Sequence, residues 1–197
     1  MKEFWDARYN SSEFIYGIKP NEFFKNNLNK KKKGKILLPG DGEGRNAVYA
    51  AKNGWDVTAF DYSVSAKEKA LHLAEENQVK INYITTEASA FSNNGKFDNI
   101  SIIYFHLPPK ARLEFHRKLK HFLNVEGKVV LECFSKSQID NRSGGPKDLN
   151  LLYSTKQLEA DFDYLNIKLL EEKEIYLEEG EFHNGKASVI RMIAQKY

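Results

Sequence analysis

Three glycines at alternate positions, Gly40, Gly42 and Gly44, stand between the apolar run Lys35 to Pro39 and a stretch, Arg45 to Asn53, whose Ala47, Val48, Ala50 and Ala51 recur at helical spacing. A second apolar run bounded by acids, Asp56 to Asp61, follows directly. Strand, glycine turn, helix, strand is a crossover unit, and it dictates a parallel sheet covered by helices. The alternation continues, with Ser63 to Asn77 a helix, Lys80 to Thr85 and Asp98 to Tyr104 strands, Pro109 to Leu123 a helix entered after Pro108, and Gly127 to Phe134 a fifth strand. After a Thr155 to Phe162 helix the order changes. Ile167 to Leu177 and Ala187 to Ile193 both read as strands, joined by the turn segment EEGEFHNG. The expected class is α/β: a seven-stranded, mostly parallel sheet with helices on both faces and an antiparallel C-terminal strand pair.

The length of 197 residues suits one domain, 1–197, and 41% hydrophobic residues suffice for its core. Thirty basic and 27 acidic residues are spread along the chain, so the net charge of +3 produces no pronounced basic face, and nucleic acid is not an expected partner. The run Lys30 to Lys33 reads as a solvated linker. The single cysteine, Cys133, excludes an internal disulfide, and the first residues carry no apolar leader, so a reducing cytoplasm is the expected compartment. No apolar stretch approaches the roughly 20 residues that span a bilayer, and no membrane association is expected. The one long stretch of loop chemistry, Ser135 to Asn150 around Gly144-Gly145-Pro146, follows the fifth strand on the edge where open α/β sheets bind ligands, and is a candidate lid.

The glycine loop selects among ligands. It lacks the GxxxxGK[ST] pattern of a P-loop, and its third glycine falls one position early for the dinucleotide fingerprint. Asp41 and Glu43 inside the turn would repel a pyrophosphate, whereas an ammonium and a sulfonium tolerate acids. Those are the charges of S-adenosylmethionine. Asp61, ending the second strand, is placed to accept hydrogen bonds from ribose hydroxyls in either type of site.

The segment ILLPGDGEGRNAVYAAKNGWDVTAFDYS resembles the first motif and second strand of class I S-adenosylmethionine-dependent methyltransferases, whose fold is Rossmann-like. Its Gly-Glu-Gly-Arg-Asn run is most similar to the small-molecule branch that includes tellurite-resistance and thiopurine methyltransferases. FWDARYNSSEFIYGIKPNEFF, FHLPP, GGPKDLNLLYS and GEFHNGKASVIRMIAQK extend the resemblance over nearly the whole chain. The sequence departs from the family at Leu38, where the common motif has an acid two residues before its first glycine; Asp41 is the candidate to restore that charge.

The resemblance implies methyl transfer to a small molecule, with a soft nucleophile such as a thiol or a metalloid oxyanion as the acceptor; a cofactor-binding sensor or partner subunit without transferase activity is the alternative. It implies that residues 1–30 form cap helices over the cofactor and that Trp5, Arg8, Tyr9 and Tyr16 contribute to that cap. The candidate cofactor set is Trp5, Arg8, Gly40, Asp41, Gly42, Asn46, Asp61, Tyr62, Glu87, Ala88 and Tyr104, with Glu87-Ala88 at the adenine edge. Tyr16, Lys147 and Arg191 are candidate acceptor contacts, and His183 and His106 candidate bases. No metal is expected. His72, His116 and His121 read as surface residues, and Cys133 as inert packing in a buried strand. Oligomeric state is not legible.

Overall fold

The computed structural model describes residues 2–11, 13–28 and 33–197, so Lys30 to Lys32 of the lysine run lie outside the described residues. Two short helices, α1 (Lys2–Tyr9) and α2 (Glu22–Asn27), precede β1 (Lys35–Pro39). There follow α3 (Arg45–Lys52), β2 (Asp56–Asp61), α4 (Val64–Glu76), β3 (Asn82–Thr85), β4 (Phe97–Ile103), α5 (Pro109–Lys118) and β5 (Leu123–Phe134). The chain ends with α6 (Thr155–Asp161), β6 (Asn166–Glu178) and β7 (Asn184–Gln195).

The seven strands form one sheet in the order β3-β2-β1-β4-β5-β7-β6. The first five are mutually parallel, and β7 runs antiparallel to both β5 and β6. This is the expected architecture. The helix expected over Pro109 to Leu123 stops at Lys118 and finishes in a single tighter turn, Leu119–His121. Leu123 is thereby released to pair with Phe97, which starts β5 four residues earlier than its apolar pattern suggests.

Strand β1 is central and its side chains alternate between the two faces. Ile36 and Leu38 join one apolar cluster with Ala47, Ala50, Ala59 and Ala70, while Leu37 joins another with Phe60, Phe91 and Ile100. Leu38 is thus committed to the core, where a carboxylate would be costly to bury. Small residues let α3 lie close on the sheet. At its start a Cβ on Gly44 would lie 2.6 Å from the Cβ of Ala70, so this glycine sets the approach of α3 to α4.

One surface assignment is corrected. His116 is 1% exposed, its Nδ1 2.8 Å from Asp161, which also receives Arg112 Nε at 2.7 Å. A predicted surface position on α5 therefore contributes to a buried ionic junction with α6. Cys133 is buried in β5, and burial pushes its thiol pKa well up.

Candidate cofactor and acceptor site

The carboxyl ends of β1, β2 and β4 open onto a cavity of about 540 Å³, inside the roughly 300–1,000 Å³ range of ligand pockets. The glycine loop forms its floor. Gly40 and Gly42 have φ of 60° and 56°, in the left-handed region, and Gly40 N–H donates to Phe60 O at 2.7 Å to hold the loop onto β2. A Cβ on Gly40 would strike the Phe105 ring at 2.1 Å, and one on Gly42 the Tyr9 hydroxyl at 2.7 Å.

The two acids of the loop have different fates. Glu43 also borders the cavity, but its carboxylate is engaged: it accepts from Ile15 N and Tyr16 N and pairs with Lys69 at 2.7 Å, tying down the segment before α2. Asp41 stays at the cavity, where one oxygen accepts from Ala47 N at 3.0 Å. Burial lifts its pKa to about 7, against the opposing bonds from Ala47 and Asn46. Asp61 also borders the cavity, and burial raises it to about 6 although Ser63 N–H donates to it at 3.0 Å. Two carboxyls of strongly reduced acidity therefore face one space.

Helix α1 lies over that floor. Ser63 caps α4 through Ala66 N and also donates to Asp6 at 2.5 Å, which joins α1 to the end of β2. Trp5 and Tyr9 stack with ring centroids 5.5 Å apart, and the Arg8 guanidinium lies between Trp5 and Phe182, 5.2 and 4.6 Å from the ring centroids. Arg8 also donates to the Tyr16 hydroxyl at 3.0 Å. The opposite wall comes from Tyr104, Phe134 and the segment Gly145 to Asp148. Tyr104 has φ of 52°, unusual for an aromatic residue, and its hydroxyl donates to Glu132 at 2.7 Å. Within the candidate lid, Gln138 is fully buried and bonds Ser143, Gly144 O and Ser188 N, so the first half of this loop is anchored while Gly145 to Asp148 borders the cavity.

The two histidine candidates differ sharply. His106 has both ring nitrogens engaged by backbone, Nδ1 with Leu151 O at 2.6 Å and Nε2 with Phe134 N at 3.3 Å. A carbonyl only accepts and an amide only donates, so the ring is fixed as the neutral Nδ1–H tautomer with its lone pair occupied. Burial lowers its pKa to about 4. His106 is therefore a strut between two loops and has no free nitrogen with which to act as a base. His183 is 6% exposed and enclosed by the rings of Tyr16, Tyr104 and Phe134. Its Nδ1 is buried without a hydrogen bond, 3.5 Å from Glu179 Oε2. Burial lowers the His183 pKa, and Glu179 acts against that shift.

Thirteen of the candidate residues meet at this cavity: Trp5, Arg8, Tyr16, Gly40, Asp41, Gly42, Asn46, Asp61, Tyr62, Tyr104, His106, Lys147 and His183. Glu87, Ala88 and Arg191 do not border it. Glu87 is exposed, and Ala88 packs in the apolar cluster of Phe60 and Phe91. Arg191 faces Glu132 across the β5–β7 register and bonds it at 2.5 Å, with its guanidinium over Phe23. It neutralises a fully buried carboxylate and is committed there. Tyr9, expected in the cap, also lines the cavity, whereas Arg45 and Glu179 were not among the candidates. Arg45 opens α3, bonds Glu179 at 2.8 Å and reaches Tyr16 O, and Asn21 Nδ2 bridges Glu132 at 2.6 Å and Glu179 at 3.0 Å. Among the described residues no group of three or more His, Cys, Asp or Glu is arranged to hold a metal, and no helix is long and apolar enough to cross a membrane.

Residues 36–127 match the family model described as a methyltransferase domain. No curated protein matches the chain by sequence. Among solved structures, the protein that converts a disulfide bond into a thioacetal group during echinomycin biosynthesis shares 15% identity, with a TM-score of 0.81 over 100% of this chain and 91% of that one. TehB from Haemophilus influenzae shares 17% identity, with a TM-score of 0.74 over 100% of this chain and 67% of its own. Magnesium protoporphyrin IX methyltransferase from Synechocystis, solved with bound S-adenosylmethionine, shares 13% identity, with a TM-score of 0.65 over 100% and 79%. The fold is that of class I S-adenosylmethionine-dependent methyltransferases.

Proposed function

We propose that this chain, which has the class I fold and carries a methyltransferase domain over residues 36–127, transfers a methyl group from S-adenosylmethionine to the sulfur of a small thiol. The observation that carries the reading is the meeting of two chemistries in one cavity. Its lining combines Asp41, Asp61 and the glycines of the loop with a histidine, His183, whose Nδ1 lacks a hydrogen bond and which is packed among the rings of Tyr16, Tyr104 and Phe134. The neighbour that acts on the sulfurs of a disulfide supports a soft acceptor.

The residues present fit the cofactor. Gly40 and Gly42 let the loop turn tightly beneath Phe105 and Tyr9 at the cavity, Asp61 offers carboxylate oxygen to ribose hydroxyls, and Asp41 offers negative charge to an ammonium. Bound there, S-adenosylmethionine supplies an electrophilic methyl group on a sulfonium with a neutral leaving group. The chain then has to align the acceptor and exclude water, and positioning of this kind accounts for roughly 7–11 kcal/mol of barrier reduction in favourable cases. Trp5, Tyr9 and Tyr16 present ring faces suited to a sulfonium, while α1 covers the cavity from solvent. His183, held neutral by burial, is the residue available to take a proton from the acceptor.

The test is incubation with S-adenosylmethionine and a panel of small thiols and metalloid oxyanions, following S-adenosylhomocysteine together with the methylated product. Methylation of thiols is expected. Turnover confined to the oxyanions would reassign the acceptor, and cofactor binding with no turnover on the whole panel would favour a sensor or partner subunit.

A further inference from the structure

Glu179 is the least explained group beside the cavity. It lies ten positions before Val189, where β7 begins to pair with β5, yet it is largely shielded and its carboxylate meets three side chains at once. Oε1 accepts from Asn21 at 3.0 Å, while Oε2 accepts from Arg45 at 2.8 Å and lies 3.5 Å from His183 Nδ1. Although burial alone would raise it, the groups from His183 and Arg45 hold its pKa down at about 2. It is therefore a permanent anion aimed at the one buried imidazole nitrogen that has no hydrogen bond. His183 borders the cavity, and the Cδ2–Nε2 edge of its ring lies against Gly144, where a Cβ would come 2.7 Å from Cδ2 and 3.4 Å from Nε2.

We propose that Glu179 is a positioning residue that makes His183 a general base. This rests on the thiol reading of the site. An anion beside Nδ1 selects the Nδ1–H tautomer, because that nitrogen can donate only when protonated. The lone pair is then left on Nε2 of a ring that borders the cavity. Arg45 fixes the carboxylate and is itself the first residue after the glycine loop, so the base is braced by the element that forms the cofactor floor. In the step this serves, the thiol proton passes to Nε2 and the sulfur lone pair forms the new bond to the methyl carbon. The bond from that carbon to the sulfonium breaks, its electron pair returning to the cofactor sulfur. The other charged or titratable groups around His183 are Arg45 and Arg8, whose charges oppose its protonation, Tyr16 and Tyr104, whose rings pack on it, and His106, which is held neutral.

The experiment has two arms. In the first, two-bond ¹⁵N–¹H NMR of the His183 ring is recorded without any acceptor. The Nδ1–H tautomer is expected in the wild type, with Glu179→Gln lowering the imidazole pKa and Glu179→Asp falling between the two. An Nε2–H ring in the wild type overturns the proposal whether or not the variants fold. In the second arm, kcat is compared for an alkyl thiol of high pKa and a nitro-substituted aromatic thiol already ionised at neutral pH. Glu179→Gln should lose about 10–100-fold on the alkyl thiol and little on the ionised one, with cofactor Kd within about twofold. Equal losses on both thiols, or a loss confined to cofactor Kd, would mean that Glu179 serves only the structure. If the wild type methylates no thiol while the tautomer is as expected, the acceptor assignment fails and the positioning role stands.

Discussion

Asp41 gives the site a measurable conflict between stability and binding. Its carboxyl rises from 3.8 in an ordinary setting to about 7 in the folded protein, mainly because it is buried. A group whose folded pKa is raised contributes stability at low pH and withdraws it as pH climbs: below 3.8 both states are protonated, between 3.8 and 7 only the unfolded chain ionises, and above 7 the folded protein must bury the charge. A little over three tenfold steps at ~1.4 kcal/mol each set a ceiling of ~4 kcal/mol. The Ala47 amide and water entering the cavity reduce this, so Asp41→Asn, which keeps an oxygen for Ala47, should stabilise the protein without cofactor by ~1–2 kcal/mol at pH 8. For a chain of this size that is a rise of roughly 2–8 °C in Tm. The same substitution removes a charged partner for the ammonium and should weaken S-adenosylmethionine binding by about 10–100-fold. The assay is calorimetric melting of both proteins from pH 4 to pH 9, without and with saturating cofactor. The difference in Tm should grow up to about pH 7 and then level, and added cofactor should narrow or reverse it. A difference independent of pH would refute the burial argument, and an unchanged cofactor affinity would refute the assignment of Asp41 to the ammonium.

Three further outcomes follow from the same geometry. His183→Ala should lower kcat on an alkyl thiol by about 100-fold or more while cofactor Kd, from titration calorimetry, stays within about twofold; normal turnover in this variant would remove the base from the site. Gly44→Ala, with a Cβ 2.6 Å from that of Ala70 and φ of 86°, should cost about 1–3 kcal/mol in urea unfolding, and a neutral result would show that α3 and α4 separate more easily than their packing implies. His106, at about 4 against an ordinary 6.5, should add to acid instability, because between those values the unfolded chain binds a proton that the folded strut does not. Its ring resonances should accordingly show no titration between pH 5.5 and 8, and a midpoint near 6.5 would mean that the bonds to Leu151 and Phe134 are not maintained.

The cofactor half of the molecule was legible because its determinants are local in the chain. The apolar runs at β1 and β2, the alternate glycines and Asp61 lie within about one crossover unit, and they place loop, helix and the Asp61 carboxylate together at the cavity. The terminal hairpin was legible for a similar reason, its strands being adjacent and separated by glycines. The acceptor half was less so. Arg45 and Glu179 are 134 positions apart, and neither carries a pattern that announces the other. Arg191 looked like a contact for an anion because strand periodicity does not reveal that its cross-strand neighbour is a buried glutamate. His106 was placed correctly at the cavity, but its role depends on which backbone groups face each ring nitrogen, and that requires the loop carrying Leu151 to be folded. Glu43 looked equivalent to Asp41 until the segment around Ile15 and Tyr16 closed on it.

The Arg45–Glu179 clasp also bears on how this protein could be rebuilt. The β6–β7 hairpin is continuous, so it invites exchange with that of another protein of the same fold to alter the His183 side of the cavity. Yet a donor hairpin without an acid at the place of Glu179 would leave Arg45 a buried cation at the mouth of the glycine loop, and Asn21 with one acceptor fewer. Grafts that carry such an acid, or that replace Arg45 at the same time, should melt higher than grafts that leave Arg45 with only the carbonyls of Tyr16 and Lys19. Hairpin and glycine loop are, in this protein, inherited together.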